Sequence, residues 1–327
     1  MTKKYLVNVY NYLMTFSPII IFGFDRPDHL KNMVTSLMNN NESKDSEVFF
    51  FIDGPTEKTD LKLHEEVVSY ASQKFPFKKQ NTIIREKNLT CKQNIISGIS
   101  EVLDSRDSTI VLEDDLILGN YFLDYMNKSL NFYRYNKEVW HINGYAHPQL
   151  LRNKRKASLS VLCQPWGWGT WDDRWENFIK NKYYEKNIIS TLNSSDRKKY
   201  NFYNLATYWE AALKLDQVNK NSIWDAYWYQ TVFLNKGLTV FPQLSHVQNS
   251  GFDGSGLHCG VNNDFDTKLN NIKTEILPKK IIESRLYRFN TYLFYKKYFL
   301  RRYLNFHKEK FASFDSFKKW VIRKINL

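Results

Sequence analysis

The amino-acid sequence predicts an α/β protein in which helices flank a Rossmann-like, mostly parallel sheet, followed by a basic, aromatic and helical C-terminal tail. Short apolar segments rich in β-branched residues alternate with segments whose apolar residues recur at helical spacing. The clearest apolar segments end abruptly at Asp, Gly or Pro, as buried strands do. Hydrophobic residues make up 43% of the chain and charged residues 25%, which excludes extensive disorder.

The first 115 residues alternate strands with helices. The predicted strands are Pro18–Phe24, Glu47–Asp53, Thr82–Arg85 and Thr109–Leu112. The predicted helices lie around Leu30–Met38, Leu61–Lys74 and Ile95–Leu103. Alternation of this length is typical of βαβ units and a parallel sheet. Residues 1–115 are therefore predicted to form the nucleotide-binding half of a Rossmann-type domain.

The pattern is looser in residues 116–278, which we expect to complete the same domain as its acceptor-binding and catalytic half. Helices are predicted at Tyr121–Tyr135, Trp171–Lys180, Asn201–Asp216 and Ala226–Asn235. Strands are predicted at Val139–Ile142 and Ser158–Gln164. We expect Trp166–Trp171 to interrupt these elements as a rigid aromatic loop, and Ser250–Gly260 to form a glycine-rich loop.

The positive charge is concentrated in the tail, residues 279–327. The whole chain carries a formal net charge of +13, and the tail alone carries +11, from 14 Lys and Arg against 3 Asp and Glu. The tail also contains thirteen aromatic residues. This combination suits an anionic membrane surface. It also suits a helix that packs its rings on the body and solvates its charges, and, as a third interpretation, nucleic acid.

The sequence gives no indication of membrane insertion or secretion. No apolar run approaches the roughly 18 residues that a membrane-spanning helix needs, and the polar segment Met1–Asn11 predicts no signal peptide. Cys91, Cys163 and Cys259 are too far apart to indicate a disulfide framework or a zinc site. We expect a cytoplasmic protein with reduced cysteines, held peripherally at the inner face of the cell membrane.

An acidic triplet follows the fourth predicted strand. Glu113, Asp114 and Asp115 come directly after an apolar run, at the sheet edge where open α/β sheets bind ligands. Three adjacent carboxylates repel one another, so a cation or a basic partner must neutralise them. A hard cation such as Mn²⁺ or Mg²⁺ binds one or two protein carboxylates and completes its shell with phosphate oxygens and water. The alternative is a solvated acidic turn or a helix N-cap.

No glycine-rich phosphate loop accompanies this triplet. The sequence contains neither GxGxxG after its first strand nor GxxxxGK[ST] at any position. This absence argues against classical dehydrogenases and P-loop enzymes.

The order of five short motifs resembles one enzyme family. FGFDRP, FIDGP, VLEDDL, WGWGTW and WDAYWY follow one another as in GT-A fold glycosyltransferases of the N-acetylglucosaminyltransferase I type and related bacterial sugar transferases, over roughly residues 17–270. The resemblance implies that Arg26 and Asp53 hold the uridine of a UDP-sugar. It further implies that Glu113, Asp114 and Asp115 form the DXD-like motif, with Asp115 as the direct ligand of Mn²⁺ or Mg²⁺.

Further residues are compatible with sugar transfer, and each has a structural alternative. Lys92 lies where it could reach the diphosphate, although a solvated helix face is the favoured explanation of this lysine. The resemblance implies that Trp166, Gly167 and Trp168 line the donor-sugar and acceptor site, which is compatible with indole rings that stack on sugars and with glycine that lets the backbone approach a ligand. The alternative for this segment is a core-packing turn.

Asp225 is the predicted general base, since an inverting transfer needs a carboxylate to accept the proton of the acceptor hydroxyl. Its position fits a helix N-cap as well. The resembled enzymes carry two adjacent acids here, whereas this chain has Asp225-Ala226. Asp172 and Asp173 are therefore the alternative candidates for the general base. His258, in the glycine-rich loop, is predicted to touch the metal or the diphosphate from a lid, or else to be structural.

These observations together predict a metal-dependent, inverting glycosyltransferase. Its donor is expected to be a UDP-sugar, with UDP-N-acetylglucosamine first, and its acceptor a bacterial surface glycan or lipid-linked saccharide, a role in polysaccharide biosynthesis. One alternative is a sugar nucleotidyltransferase, but the segment GFDRPDHL lacks the basic glycine-rich loop that such enzymes need. The other alternative is a nucleic-acid-binding protein that uses the basic tail.

Overall fold

The computed structural model describes residues 15–148, 153–219, 223–255 and 264–308. The strands are β1 (Ile19–Gly23), β2 (Glu47–Ile52), β3 (Lys79–Ile84), β4 (Ser108–Glu113), β5 (Leu116–Leu118), β6 (Val139–Asn143), β7 (Ala157–Ser160), β8 (Trp168–Trp171), β9 (Leu238–Pro242) and β10 (Val247–Asn249). The helices are α1 (Pro27–Met38), α2 (Leu61–Ala71), α3 (Cys91–Leu103), α4 (Phe122–Tyr133), α5 (Asp172–Lys180), α6 (Ser194–Tyr200), α7 (Tyr208–Asn219), α8 (Asp225–Leu234) and α9 (Arg285–Lys308).

Eight strands form one sheet in the order β3-β2-β1-β4-β8-β6-β9-β7, and β10 and β5 form a small second sheet. The pairs β1–β2, β1–β4, β2–β3 and β6–β9 are parallel, and the other three pairs of the large sheet are antiparallel. The predicted α/β class, with a mostly parallel sheet flanked by helices, is therefore confirmed. Strands from residues 1–115 and from residues 116–278 lie in the same sheet.

Strands β1, β2 and β4 of the parallel half are largely buried on both faces, whereas the edge strand β3 is partly exposed. In β1, Ile20 and Phe22 belong to one hydrophobic cluster, whereas Ile19 and Ile21 belong to the cluster on the other side. Burial on both faces explains why this strand reads as a continuous apolar run instead of an alternating one. It also explains why the sequence predicted this half well.

The aromatic loop predicted at Trp166–Trp171 is wrong for its second part. Trp168–Trp171 is the central strand β8, antiparallel to both β4 and β6. A Cβ atom on Gly169 would lie 2.8 Å from the carbonyl oxygen of Thr109, so the glycine permits the close approach of β4. The two glycines of Trp166–Trp171 are disfavoured in strands and typical of loops, so this segment did not indicate a strand.

The helix predicted at Asn201–Asp216 is also wrong in part. Phe202, Tyr203 and Asn204 have positive φ angles of 45°, 59° and 66°, which end the helical path and separate α6 from α7. Strands β5, β8, β9 and β10 were not predicted. The helical tail is observed as α9, and residues 309–327 lie outside the described ranges. Within the described ranges, no helix combines the length and apolar character needed to cross a bilayer.

Candidate functional site

The candidate site lies at the carboxyl edge of the parallel strands β1, β2 and β4. The register pairs Phe22 with Glu113 and Gly23 with Ile52, so the three strands end at the same level. The segments that follow them carry Arg26, Asp53 and the acidic triplet. The fold thus brings together side chains that are up to 89 residues apart.

Arg26 is the counter-ion of the acidic triplet. Its Nη2 atom donates hydrogen bonds to Asp114 Oδ1 and to Asp115 Oδ2, the latter at 3.2 Å. Its Nε atom donates to Asp114 Oδ2 at 3.3 Å. The Nη1 atom is buried, and no described residue accepts a hydrogen bond from it. The guanidinium therefore pairs with two carboxylates, offsets one negative charge, and keeps one nitrogen for another partner.

The triplet nevertheless retains an excess of negative charge. Burial, together with repulsion from Asp115, Asp225 and Asp114, raises the pKa of Glu113 well above its ordinary value. Burial also raises the pKa of Asp114 to about 6, although Arg26 opposes this change. Carboxylates that are costly to ionise together favour a site that receives a further cation.

Asp225 lies close enough to this cluster for its charge to raise the pKa of Glu113. It is the first residue of α8, and its Oδ1 atom accepts a hydrogen bond of 2.9 Å from the backbone of Ala226. The reserve candidate Asp173 lies elsewhere. It forms ion pairs with Lys137 and Arg174, beyond the end of β8 that pairs with the start of β4. Asp172 and Asp173 both follow Trp171, which pairs with Ser108 at the end of β4 opposite the triplet, whereas the charge of Asp225 acts on Glu113.

Asp53 connects the loops that follow β2 and β3. Its Oδ1 atom accepts hydrogen bonds from the backbone of Gly54 at 3.0 Å and of Leu89 at 2.8 Å. Burial raises the pKa of its carboxyl group, although these hydrogen bonds act in the opposite direction. Asp53 therefore holds together the two loops that follow β2 and β3. Its contact with a uridine stays a prediction.

Lys92 forms a buried ion pair. Its Nζ atom lies 2.8 Å from Asp216 Oδ2, and the two side chains are 6% and 3% exposed. The same nitrogen lies 4.1 Å from the centre of the Tyr227 ring. Lys92 thus joins α3 to α7 and α8, and this arrangement favours a structural role over the predicted diphosphate contact.

The tryptophan–glycine segment contributes one ring to the edge of the site. Trp168 is fully buried and stacks on His141 at 4.9 Å between ring centroids, so it offers no surface to a ligand. Trp166 is only partly buried, and its ring meets those of Phe252 at 5.5 Å and Phe265 at 5.7 Å. Gly167 joins the two tryptophans with a φ of +61°, a conformation that favours glycine.

The glycine-rich segment packs directly on the acidic triplet. The backbone N–H and the hydroxyl of Ser250 both donate to the carbonyl oxygen of Asp115 at 2.8 Å. A Cβ atom on Gly251 would overlap the carboxylate of Asp115. His29 Nε2 and Asp253 Oδ2 lie 3.3 Å apart and tie the segment to α1. His258 lies outside the described residues.

Cys91 belongs to the site but was not predicted there. It is the first residue of α3 and is exposed to solvent. Desolvation of its sulfur by the atoms packed around it, followed by the charges of Glu113 and Asp225, raises the pKa of its thiol well above the ordinary value. Its sequence neighbours give no hint of this location, because the neighbouring carboxylates come from other strands and from α8.

Among the described residues, no group of three or more His, Cys, Asp or Glu side chains is arranged to hold a metal ion alone. A cation that arrives with a diphosphate needs only one or two protein carboxylates. The carboxylate of Asp115, which points to Arg26 and adjoins Gly251, fits that smaller requirement.

No family model matches the sequence, and no curated protein matches it. A solved structure with a partial likeness is the mannosyltransferase PcManGT from Pyrobaculum calidifontis in complex with GDP-Man and Mn²⁺. The likeness has a TM-score of 0.35 and 8% sequence identity, and it covers 53% of this chain and 52% of that enzyme. The match thus spans about half of each protein.

Proposed function

We propose that this protein is a metal-dependent glycosyltransferase that transfers a sugar from a UDP-sugar to a saccharide acceptor, with inversion at the anomeric carbon. The observation that carries the proposal is the acidic triplet at the carboxyl edge of the sheet, bridged by Arg26 and approached by Asp225. Such an edge binds nucleotides in α/β sheets. The absence of a phosphate-binding glycine loop agrees with a donor held through carboxylates and a cation.

In this proposal each residue has a defined task. Asp115 holds Mn²⁺ or Mg²⁺, which when bound stabilises the negative charge that develops on the leaving diphosphate. Arg26 directs its remaining guanidinium nitrogen to the nucleotide, and Asp53 binds the uridine. Trp166 supplies a ring face for the donor sugar or the acceptor.

Asp225 is the general base of the proposed reaction. It accepts the proton of the acceptor hydroxyl while that oxygen attacks the anomeric carbon and the bond to the nucleoside diphosphate breaks. The proton ends on Asp225 and the electron pair on the departing diphosphate. The charge of Asp225 contributes to the raised pKa of Glu113, and this supports a role for Asp225 near the nucleotide edge.

The donor, acceptor and place of action are also part of the proposal. UDP-N-acetylglucosamine is the first donor to test, on the resemblance of the sequence motifs. The acceptor is a bacterial surface glycan or a lipid-linked saccharide, and the enzyme acts at the cytoplasmic face of a membrane. The charge of the tail, +11 in residues 279–327, supports this location.

A panel of UDP-sugars tests the proposal through donor hydrolysis and transfer with Mn²⁺, with Mg²⁺ and with EDTA. We expect activity with at least one donor and its loss in EDTA. Asp115→Asn should remove the metal-dependent turnover, whereas the control Asp45→Asn, an exposed carboxylate, should not. Asp225→Asn should lower kcat for transfer by about 10²–10⁴-fold while donor binding persists. Full activity in EDTA, or none with any nucleotide sugar, would refute the proposal.

A further inference from the structure

Helix α9 presents two different faces. One face is buried, and the opposite face exposes large apolar side chains to solvent. The exposed residues, which we call the outer face of α9, are Leu286, Phe289, Phe299, Leu300 and Tyr303, and they are 50%, 53%, 54%, 52% and 38% exposed. The intervals between Leu286, Phe289, Leu300 and Tyr303 place these four on one side of a helix. We propose that the outer face of α9 is a docking surface for an anionic membrane.

The buried face of α9 cannot exchange with the outer face. Tyr287 and Tyr295 are fully buried. The Tyr295 hydroxyl lies 3.0 Å from His147 Nε2 and 2.8 Å from the Tyr208 hydroxyl, and Gln164 Nε2 donates to it at 3.2 Å. A rotation of the helix would leave these buried polar groups without partners, which is costly. The outer face is therefore fixed toward solvent.

Cations on α9 match an anionic surface. Lys296 and Lys297 are exposed, and within the described ranges neither forms an ion pair. By contrast, Arg288 pairs with Glu283 at 2.9 Å and Arg301 with Asp264 at 3.0 Å. Lysines beside exposed Leu and Phe side chains are typical of helices that lie in a membrane interface, where rings and aliphatic groups enter the acyl boundary and ammonium groups meet the headgroups.

Other occupants fit the outer face less well. A second copy of the chain would bring together two tails that each carry +11. The phosphates of a nucleic acid would bind the lysines, but they would make no favourable contact with the exposed aliphatic side chains of Leu286 and Leu300. An anionic membrane suits both the lysines and the exposed apolar side chains, because its charged headgroups cover an apolar acyl layer.

The docking surface lies close to the candidate site. Phe294 and Tyr298 of α9 meet the ring of Phe265 at 5.5 Å and 5.2 Å between centroids. Phe265 in turn meets Trp166 at 5.7 Å. Two ring contacts therefore separate the helix from the edge of the site, so a saccharide carried by a lipid would be presented beside Trp166. This last step rests on the proposed function, whereas docking itself does not.

Vesicle flotation of the full-length protein tests the docking. The vesicles consist of phosphatidylcholine alone or of phosphatidylcholine mixed with phosphatidylglycerol. We expect binding to the mixed vesicles and little to the neutral ones. Phe289→Ser/Leu300→Ser should lower the partition coefficient at least about tenfold, and Lys296→Gln/Lys297→Gln should lower it roughly ten- to thirtyfold at low salt.

Matched pairs on other surfaces serve as controls. Leu61→Ser/Leu63→Ser removes exposed apolar groups from α2, and Lys58→Gln/Lys62→Gln removes exposed charges near it. Both should change the partition coefficient by less than about twofold. Thermal unfolding followed by circular dichroism should be the same for the outer-face variants and the controls, because the outer face makes few internal contacts.

Several results would overturn the docking proposal. These are equal binding to neutral and mixed vesicles, unchanged binding of the Phe289→Ser/Leu300→Ser protein, and loss of a dimer or of RNA binding in that variant without any vesicle binding. Calorimetric titration of UDP-sugar without vesicles separates this proposal from the transferase proposal. Normal donor binding with failed flotation refutes docking alone, and failed donor binding with normal flotation refutes the transferase alone.

Discussion

Replacement of Lys92 by Met decides whether this lysine supports the fold or binds the donor. The change keeps the length of the side chain but leaves the carboxylate of Asp216 buried without its cation, 3% exposed. Loss of one partner from a buried ion pair costs about 3–5 kcal/mol. We expect the lower end, about 3 kcal/mol, because Asp216 still accepts hydrogen bonds from the Tyr227 hydroxyl at 3.0 Å and from the backbone of Ile223 at 3.2 Å.

Urea unfolding followed by tryptophan fluorescence measures this cost at neutral pH. The control Lys62→Met, at an exposed position, should change the free energy of unfolding by less than about 0.5 kcal/mol. The double variant Lys92→Met/Asp216→Asn should recover about 2 kcal/mol, because it removes the buried negative charge but keeps an acceptor for Tyr227. Affinity for the UDP-sugar should change little in each variant that is folded at the assay temperature.

The pH dependence of the Lys92→Met deficit gives an independent check. Burial favours the protonated form of Asp216, but hydrogen bonding and the charge of Lys92 outweigh this and lower its pKa. A lowered pKa contributes stability above the unfolded-state value of about 3.9 and loses it as the pH falls further. The deficit should therefore shrink in acid. Unchanged stability together with a large loss of donor affinity would show that Lys92 contacts the diphosphate and that our reasoning is wrong.

Two further predictions concern the buried histidines and the glycine-rich segment. Burial lowers the pKa of His141 to about 4 and that of His147 and His246 to about 3. Because the unfolded chain binds protons below about pH 6.5, these three histidines should together contribute a fall in the free energy of unfolding of up to about 4 kcal/mol per pH unit as the pH falls from about 6 to 4, whereas the raised pKa values of Asp114 and Glu113 oppose this fall. Urea titrations at several pH values measure this slope; His246→Gln should reduce it by about a third, and an unchanged slope would contradict the assignment. Gly251→Ala should displace the Asp115 carboxylate and lower transferase activity at least about tenfold, with little effect on thermal unfolding. Equal activity of Gly251→Ala and the native protein would mean that this segment does not hold Asp115 in the position that activity requires.

Strands β1, β2 and β4 could be predicted because they are largely buried on both faces and read as near-continuous apolar runs, whereas the partly exposed edge strand β3 has a mostly polar sequence. The same argument placed the acidic triplet and Arg26 at one edge, since parallel strands end together. Strand β8 could not be predicted, because its sequence of Trp, Gly and Thr packs as a strand only between neighbours that the sequence does not reveal.

Roles that depend on distant partners were the hardest to predict. Lys92 meets Asp216 across 124 residues of chain, and Arg26 meets Asp114 across 88. In the sequence, no neighbouring residue indicated that Lys92 or Arg26 has a carboxylate partner. Both side chains were therefore predicted to bind the nucleotide. The location of Cys91 among four carboxylates was hidden for the same reason.

The buried face of α9 has a consequence for synthesis of the chain. Tyr287 packs against Phe241 at 5.1 Å between ring centroids, and Tyr295 packs against Phe202 at 5.8 Å. Since domains form as the chain leaves the ribosome, the parallel half can assemble early, whereas this cluster closes only after Tyr295 has emerged. The helix that completes the core also carries the proposed docking surface. A chain terminated before α9 should therefore fail quality control as a misfolded protein before its location in the cell becomes relevant.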